Sequence, residues 1–169
     1  MDEEFARIRG YLQGQAAKLT VAELTGKVRT DLQQVKGAIE SFPANRWTER
    51  PREGEWSANE VAAHLAESSQ SVAAGILTAI DQGTKPGAIR DTIVHTEEAR
   101  GPADWWNQIE TEREALFARL ASVKGDEHLD IAWAHPMFGD LNWREWLLFT
   151  RIHDLDHARQ IEAVSQALA

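Results

Sequence analysis

The sequence contains no cysteine in its 169 residues. Disulfide bonds, thiolate metal ligands and a cysteine nucleophile are therefore excluded. Basic residues are also few, since 18 Lys and Arg stand against 27 Asp and Glu and give a net charge of −9. Nucleic-acid backbones and anionic membrane surfaces both attract clustered positive charge. We therefore expect neither a nucleic-acid partner nor a membrane partner.

Long apolar segments and leader-like features are missing as well. No apolar run approaches the roughly 20 residues that cross a bilayer. The first residues, Met1 to Glu4, are acidic, whereas a secretory signal peptide has a basic region followed by an apolar core. Together with the lack of cysteine, these features lead us to expect a cytoplasmic protein.

The glycines form none of the common motifs for nucleotide binding or for a serine nucleophile. There is no Gly-x-Gly-x-x-Gly, no phosphate-binding loop and no Gly-x-Ser-x-Gly. What the sequence does contain is ordinary, with 43% hydrophobic and 27% charged residues. This composition is typical of a soluble globular protein. We expect a single domain over residues 1–169, with its core over about 20–167.

Apolar residues recur at helical spacing over most of the chain. The pattern predicts four long helices over residues 20–41, 57–81, 102–123 and 142–167. Three of them begin with a capping box, in which Thr, Ser or Asn is followed three residues later by Glu: Thr20 and Glu23, Ser57 and Glu60, Asn142 and Glu145. A weaker pattern over 2–19, interrupted by Gly10 and Gly14, predicts a peripheral N-terminal helix. The sequence thus predicts an all-α protein.

The segments between these helices read as loops. They cover residues 43–56, residues 83–101 with a short extended piece at 92–94, and residues 124–141. Connections of this length in compact domains are often functional. The last helix also carries a second apolar stripe of Leu148, Ile152 and Leu155. That helix is therefore central, covered by an extra helix, or part of a subunit contact.

Two histidines four residues apart, His153 and His157, lie on one face of the last helix. The spacing alone is weak, because any surface helix can carry it. The pair, however, belongs to a stripe of inward-facing positions: Trp146, Thr150, His153, His157, Ile161, Val164 and Leu168. Buried imidazoles need a hydrogen-bond partner or a metal ion, so the pair predicts two ligands of one ion. Gln160, on the same face, is a candidate hydrogen-bond partner for a metal-bound His157.

The best candidate for a third ligand is His64, on the shoulder of the apolar stripe of the second long helix. Taken alone, His64 is better interpreted as a half-exposed residue bonded to a neighbour. Glu60 and Glu67 lie nearby and could act as a base or support a metal ligand, although solvated carboxylates on a helix face are more common. Arg113 falls inside the apolar stripe of the third long helix. We interpret it as a side chain whose aliphatic part is buried and whose guanidinium reaches solvent. A buried ion pair and a group that binds a substrate anion are the alternatives.

Short motifs in a fixed order extend over about residues 20–165: Trp56-Ser57, Val61-x-x-His64-Leu65, His135-Pro136-x-Phe138-Gly139, Glu145-Trp146-Leu147 and His153-x-x-x-His157-x-x-Gln160-Ile161. In this order and separation, the chain resembles the DinB/YfiT-like metalloenzyme family. The resemblance implies a four-helix bundle in a variant of the up-and-down arrangement. It also implies a metal site made by His64, His153 and His157, commonly for nickel or zinc, and a homodimer. Characterised relatives transfer low-molecular-weight thiols to electrophiles or isomerise with a thiol cofactor.

Three imidazoles that leave coordination positions open are typical of a catalytic metal site, whereas a structural zinc site has four protein ligands. Imidazole suits zinc, nickel, iron and copper alike, so the ligand type does not name the metal. The ion could ionise water for hydrolysis or hold a thiol as its thiolate. We expect a thiol S-transferase that acts on a small electrophile, with a low-molecular-weight thiol as cosubstrate. A metal-dependent hydrolase and a non-enzymatic metal- or ligand-binding dimeric bundle are the alternatives.

Overall fold

The computed structural model describes residues 3–88 and 98–169, and these are mostly helical. The helices are α1 (Glu3–Lys18), α2 (Val21–Ser41), α3 (Ala58–Leu77), α4 (Pro102–Leu120) and α5 (Trp143–Leu168). The prediction of an all-α protein with an additional N-terminal helix is therefore confirmed. The extended piece predicted at 92–94 lies outside the described residues. No helix in the described ranges is both long and apolar enough to span a bilayer.

Local signals set the helix ends. All three predicted capping boxes form. The side chains of Thr20, Ser57 and Asn142 accept the backbone N–H of a Glu three residues later, and the side chain of that Glu accepts the backbone N–H of the capping residue. Helix α3 does not stop at Leu77 but continues through a π-helical turn, Thr78–Gln82. Gly83 ends this turn in the left-handed conformation (φ 61°), which a glycine adopts without strain.

The four long helices form a bundle in which sequence neighbours are not always packing neighbours. Helix α2 packs against α4 and α5, and α3 packs against the same two helices. One hydrophobic cluster contains the N-terminal halves of α2 and α5 and the C-terminal halves of α3 and α4. Helices α2 and α5 therefore run in one direction, and α3 and α4 run in the other. This is a variant of the up-and-down arrangement, because the consecutive helices α3 and α4 are parallel and need a long connection between them.

The core consists of two apolar clusters with polar side chains between them. The second cluster joins the other halves of the same four helices, from Leu32 of α2 to Leu168 of α5. Along the helices, polar side chains fall between the two clusters; we call them the polar layer. Its members are Ser68 and Ser69 of α3, Arg113 of α4, and Thr150, His153, Asp154 and His157 of α5. Polar groups placed between apolar clusters must bond to one another or to a ligand.

Helix α1 explains the second apolar stripe of α5. It packs along α5, and its Phe5 and Ile8 contact the same apolar cluster as Ile152. Arg144 of α5 strengthens this attachment by donating to the backbone carbonyls of Ala16 and Leu19. Of the three explanations left open by the sequence, cover by an extra helix is thus the one that the structure supports.

The prediction of a loop over 124–141 is wrong for its last part. Strand β1 (Ala132–His135) and strand β2 (Gly139–Asn142) form an antiparallel hairpin in which Trp133 pairs with Leu141 and His135 pairs with Gly139. Each strand has only four residues, so the alternation of buried and exposed positions is too short to stand out in a sequence. The hairpin is held by tertiary packing, since the Trp133 ring stacks on Trp146 of α5 with ring centroids 5.5 Å apart.

Candidate metal centre

Helices α3 and α5 bring three histidines together beside the polar layer. The Nε2 atom of His153 lies 3.1 Å from Nε2 of His64 and 3.2 Å from Nε2 of His157. One nitrogen from each ring lies within 4.8 Å of the other two. The sequence separation between His64 and His153 is 89 residues, so only the packing of α3 on α5 produces this arrangement.

The convergence of three ring nitrogens fits a cation better than it fits mutual hydrogen bonding. A neutral imidazole has one N–H donor and one lone pair, so three Nε2 atoms that meet cannot all be satisfied by one another. A divalent ion accepts all three lone pairs and leaves further coordination positions for a guest. The donor set therefore fits a divalent transition-metal ion, without selecting among zinc, nickel, iron and copper. That His64, His153 and His157 bind a metal stays a prediction.

Gln160 supports the orientation of His157. Its side-chain oxygen lies 2.7 Å from Nδ1 of His157, so Nδ1–H is the donor in this hydrogen bond. The ring proton is thereby held on Nδ1, which leaves the lone pair of Nε2 directed at the other two histidines. A carbonyl partner on the far nitrogen is the usual companion of a metal-bound histidine.

The surroundings of His153 favour the neutral form of its ring. Burial, reinforced by His157 and His64, holds the pKa of His153 well below its ordinary value of 6.5. His153 is therefore an unprotonated imidazole at neutral pH. Aromatic rings shield the cluster: Trp56 stacks parallel to His157 at 6.5 Å, and Phe149 lies 5.7 Å from His153.

A cleft of about 100 Å³ opens beside His64 and His153. Its walls are largely apolar and aromatic on one side and polar on the other. The lining residues are His64, Ser68, Val72, Arg113, His135, Pro136, Met137, Trp146, Phe149, Thr150 and His153. This volume is small beside the roughly 300–1,000 Å³ of most ligand pockets, so the cleft suits a small guest. The histidine cluster is thus accessible to a guest rather than sealed in the core.

The two carboxylates considered from the sequence occupy different places. Both oxygens of Glu60 accept from Arg50, at 3.0 and 2.6 Å, and one also accepts the backbone N–H of Ser57. Glu60 therefore caps α3. Glu67 is exposed and lines a separate surface pocket on the other side of His64. Of the three supporting candidates, Gln160 is the one with a described hydrogen bond to a histidine of the cluster.

The interpretation that the guanidinium of Arg113 reaches solvent is wrong. Its guanidinium is buried and forms two hydrogen bonds to Asp154, at 3.0 and 2.8 Å, and a third to Ser69. Burial raises the pKa of the Asp154 carboxyl, and Arg113 opposes that shift. Asp154 adjoins His153 and was missed as a site residue, because a polar residue between two helical histidines gives no sequence signal of its own. Its charged partner Arg113 was the visible clue.

His135 reaches the cleft from the hairpin. Its Nδ1 atom accepts the backbone N–H groups of Met137 at 3.1 Å and Phe138 at 3.3 Å, which assigns the proton of the neutral ring to Nε2. The ring packs against Phe149 with centroids 4.3 Å apart. His135 was visible in the sequence as part of a motif, but only the hairpin shows that it belongs to the wall of the cleft.

A model of the DinB superfamily matches residues 27–161, a range that includes all three histidines and Gln160. The chain belongs to the DinB superfamily. The resemblance stated from the motifs is thereby confirmed. No protein of curated function shows a significant match.

Two solved structures share the fold. YfiT from Bacillus subtilis is 16% identical, with a TM-score of 0.65 over 88% of this chain and 87% of that chain. It is described as a probable metal-dependent hydrolase with an unusual four-helix bundle topology. TT2238, described as a four-helix bundle protein, is 18% identical, with a TM-score of 0.63 over 85% of this chain and 99% of that chain. The expected four-helix bundle is confirmed.

Proposed function

We propose that this DinB-superfamily protein is a divalent-metal-dependent enzyme and that His64, His153 and His157 hold the ion. The observation that carries the proposal is the convergence of three Nε2 atoms at the edge of an accessible cleft. The proposed ion is nickel or zinc, which the family resemblance favours, since imidazole ligands by themselves suit iron and copper equally well. Such an ion, when bound, lowers the pKa of a coordinated thiol or water and so supplies a nucleophile at neutral pH.

We propose thiol S-transfer to a small electrophile as the reaction, with a low-molecular-weight thiol as cosubstrate. A free thiol has a pKa of about 8.5 and water one of about 15.7, so a thiol needs far less help to ionise. The described part of the cleft wall includes no Asp or Glu that could act as a separate base. The apolar surface of Val72, Trp146 and Phe149 suits the carbon skeleton of an electrophile. Gln160 keeps the Nε2 lone pair of His157 available throughout.

The test is a transfer assay on protein loaded with nickel or zinc. L-Cysteine and glutathione are offered as thiols with 1-chloro-2,4-dinitrobenzene as the electrophile. The thiol sulfur forms the new C–S bond, chloride leaves, and the thiol proton passes to solvent. We expect turnover in the wild type and in His128→Asn, an exposed loop variant, and its loss in His153→Ala. Turnover in His153→Ala equal to that of the wild type would remove the proposal.

A metal-dependent hydrolase at the same site is the second candidate. It is favoured by the likeness of the fold to YfiT, which is described as a probable metal-dependent hydrolase. In this case p-nitrophenyl acetate or a lactone would be cleaved without any thiol, and the activity would again require His153. An ion that stabilises the fold without any turnover would instead indicate a non-enzymatic metal- or ligand-binding bundle.

We further propose that the 169 residues form one domain, that it assembles as a homodimer, and that it works in the cytoplasm on a small-molecule substrate. The dimer is supported by the family resemblance, and the location by the acidic, cysteine-free composition. Sedimentation velocity of the purified chain tests the dimer, with a single monomeric species at micromolar concentration as the contrary result. Cell fractionation tests the location.

A further inference from the structure

The polar layer contains an ion pair that the proposed metal chemistry does not use. Arg113 of α4 donates from Nη1 and Nη2 to the two carboxylate oxygens of Asp154 on α5, and from Nε to the Ser69 hydroxyl on α3. The side chain of Arg113 is 3% exposed, and that of Asp154 is fully buried. Since α4 and α5 lie diagonally in the bundle, this pair crosses its centre.

A buried ion pair is a poor way to stabilise a bundle. Removing two charges from water costs several kcal/mol, and apolar residues of similar volume often serve equally well. The apolar clusters on both sides show that this core can be filled with hydrocarbon. The position of the pair is therefore better explained by what Arg113 faces, which is the cleft that His64 and His153 also line.

Arg113 retains hydrogen-bonding capacity at this position. A guanidinium has five N–H groups. Among the described residues, the three bonds to Asp154 and Ser69 use one N–H from each nitrogen, which leaves one N–H on Nη1 and one on Nη2 for a further acceptor. Buried donors beside an accessible cleft are suited to recognising an acceptor on a guest molecule. The bonds to Asp154 and Ser69 also hold the guanidinium in one orientation, so little entropy is lost on binding.

We propose that Arg113 is a substrate-binding residue whose remaining N–H groups donate to an uncharged carbonyl oxygen of the substrate. The apolar body of that molecule then lies against Val72, Trp146 and Phe149. Because Asp154 already neutralises the guanidinium, a carbonyl is preferred over a carboxylate, which the Asp154 charge repels. The substrate class is small apolar carbonyl compounds, such as amides, ketones and esters. That this guest molecule is a substrate rests on the proposed enzymatic function, whereas the binding preference does not.

The test compares three probes of similar shape, namely benzamide, benzoate and toluene, by ligand-observed NMR titration of the full-length protein as purified. We expect benzamide to bind at least about tenfold more tightly than toluene, the usual worth of a hydrogen bond to a charged donor. Benzoate should bind no more tightly than benzamide. The titrations are repeated after chelation of metal, so that binding of the carbonyl to an ion is separated from binding to Arg113.

Variants assign the preference to Arg113. Arg113→Lys keeps a positive charge beside Asp154 but loses the planar fork, and should reduce the ratio of benzamide to toluene affinity to within about twofold. Arg119→Lys, the same change at an exposed position of α4, is the matched control and should keep the wild-type ratio. If Arg113→Lys does not fold, the double variant Arg113→Met with Asp154→Leu takes its place. It removes both charges and should also reduce the affinity ratio to within about twofold.

Equal affinity of the wild type for benzamide and toluene overturns the proposal, as does a full preference in Arg113→Lys. A preference that disappears on chelation also overturns it, because the acceptor is then held by the ion. Failure of the metal proposal looks different. Elemental analysis then finds no ion and the transfer assay finds no turnover, while the carbonyl preference and its dependence on Arg113 persist.

Discussion

Gln160 is the residue whose contribution to the centre can be separated from that of the histidines themselves. Its oxygen holds the Nδ1 proton of His157, and it contacts no other ring nitrogen among the described bonds. We expect Gln160→Ala to weaken metal affinity about tenfold to a hundredfold, the usual effect of removing such a partner. Competition with a chromogenic chelator measures this affinity. Glu162→Ala, exposed on the same helix, is the matched control and should bind metal like the wild type.

The outcome for Gln160→Ala is informative in both directions. Because Gln160 is only half-buried, the variant should keep its helix content and unfold cooperatively. A variant with unchanged metal affinity would show that His157 holds its tautomer without help from Gln160, and the supporting role would be withdrawn.

The hairpin offers a test of strain at the scale of the element. Gly139 has a φ of 73°, in the left-handed region, and it is the residue opposite His135. An alanine there costs about 1–2 kcal/mol of stability, because its Cβ approaches the following carbonyl oxygen. Gly37, in the C-terminal part of α2, is the control, since a Cβ at that position meets nothing within 4 Å. Gly37→Ala should stabilise the protein by roughly 0.5–1 kcal/mol.

Urea unfolding distinguishes the two glycine variants by the sign of their effect. A Gly139→Ala variant as stable as the wild type would mean that the turn can relax to a negative φ. In that event the position of His135 is not determined by this turn.

The capping box of α5 makes a pH-dependent prediction. Glu145 accepts the backbone N–H of Asn142 at 3.0 Å, but burial raises the pKa of its carboxyl above the ordinary value of 4.5. A raised folded-state pKa means that the ionised form destabilises the fold, and this cost develops as pH rises above 4.5. Glu145→Gln keeps the acceptor and removes the charge. The variant should therefore have a higher Tm than the wild type at pH 7.

The size of that gain should shrink as pH is lowered toward 4.5, because the wild-type carboxyl is then protonated in the folded protein. Thermal unfolding from pH 4.5 to pH 8 measures the profile. A gain that is independent of pH would assign the effect to packing rather than to the charge of Glu145.

At the scale of the whole molecule, the proposed ion would link α3 to α5 through the middle of the bundle. A ligand that binds only the folded state at 1,000 times its Kd stabilises that state by about 4 kcal/mol. For a chain of this length the corresponding rise in Tm is roughly 8–16 °C. We expect zinc or nickel to produce such a rise in the wild type and chelator to abolish it.

The triple variant His64→Ala, His153→Ala, His157→Ala should show no such metal-dependent rise, whereas His128→Asn should keep it. His128 has a φ of 49°, which Asn tolerates, so this control preserves the loop. A wild type whose Tm does not respond to metal would count against the metal centre whatever the activity assays show.

The sequence by itself determined the helices of this protein and placed two of the three clustered histidines. Helix ends followed from capping boxes and glycines, which act within three or four residues, and the spacing of His153 and His157 placed both rings on one helix face. Those properties are local and periodic, so they can be read without knowing the fold. The four-residue strands of the hairpin lacked that advantage, because so short an alternation stands out only when Trp133 is packed on Trp146.

Only the tertiary structure decided which distant residues meet. It joined His64 to His153 across 89 residues and Arg113 to Asp154 across 41 residues. Both contacts depend on α3 and α4 running antiparallel to α5, an arrangement that apolar periodicity does not encode, since each helix would bury the same stripe in either direction. The interpretation that the guanidinium of Arg113 reaches solvent was wrong for this reason. A charged side chain within an apolar stripe is stable in the core only if it pairs with an opposite charge. For Arg113 that charge is Asp154, which lies on another helix.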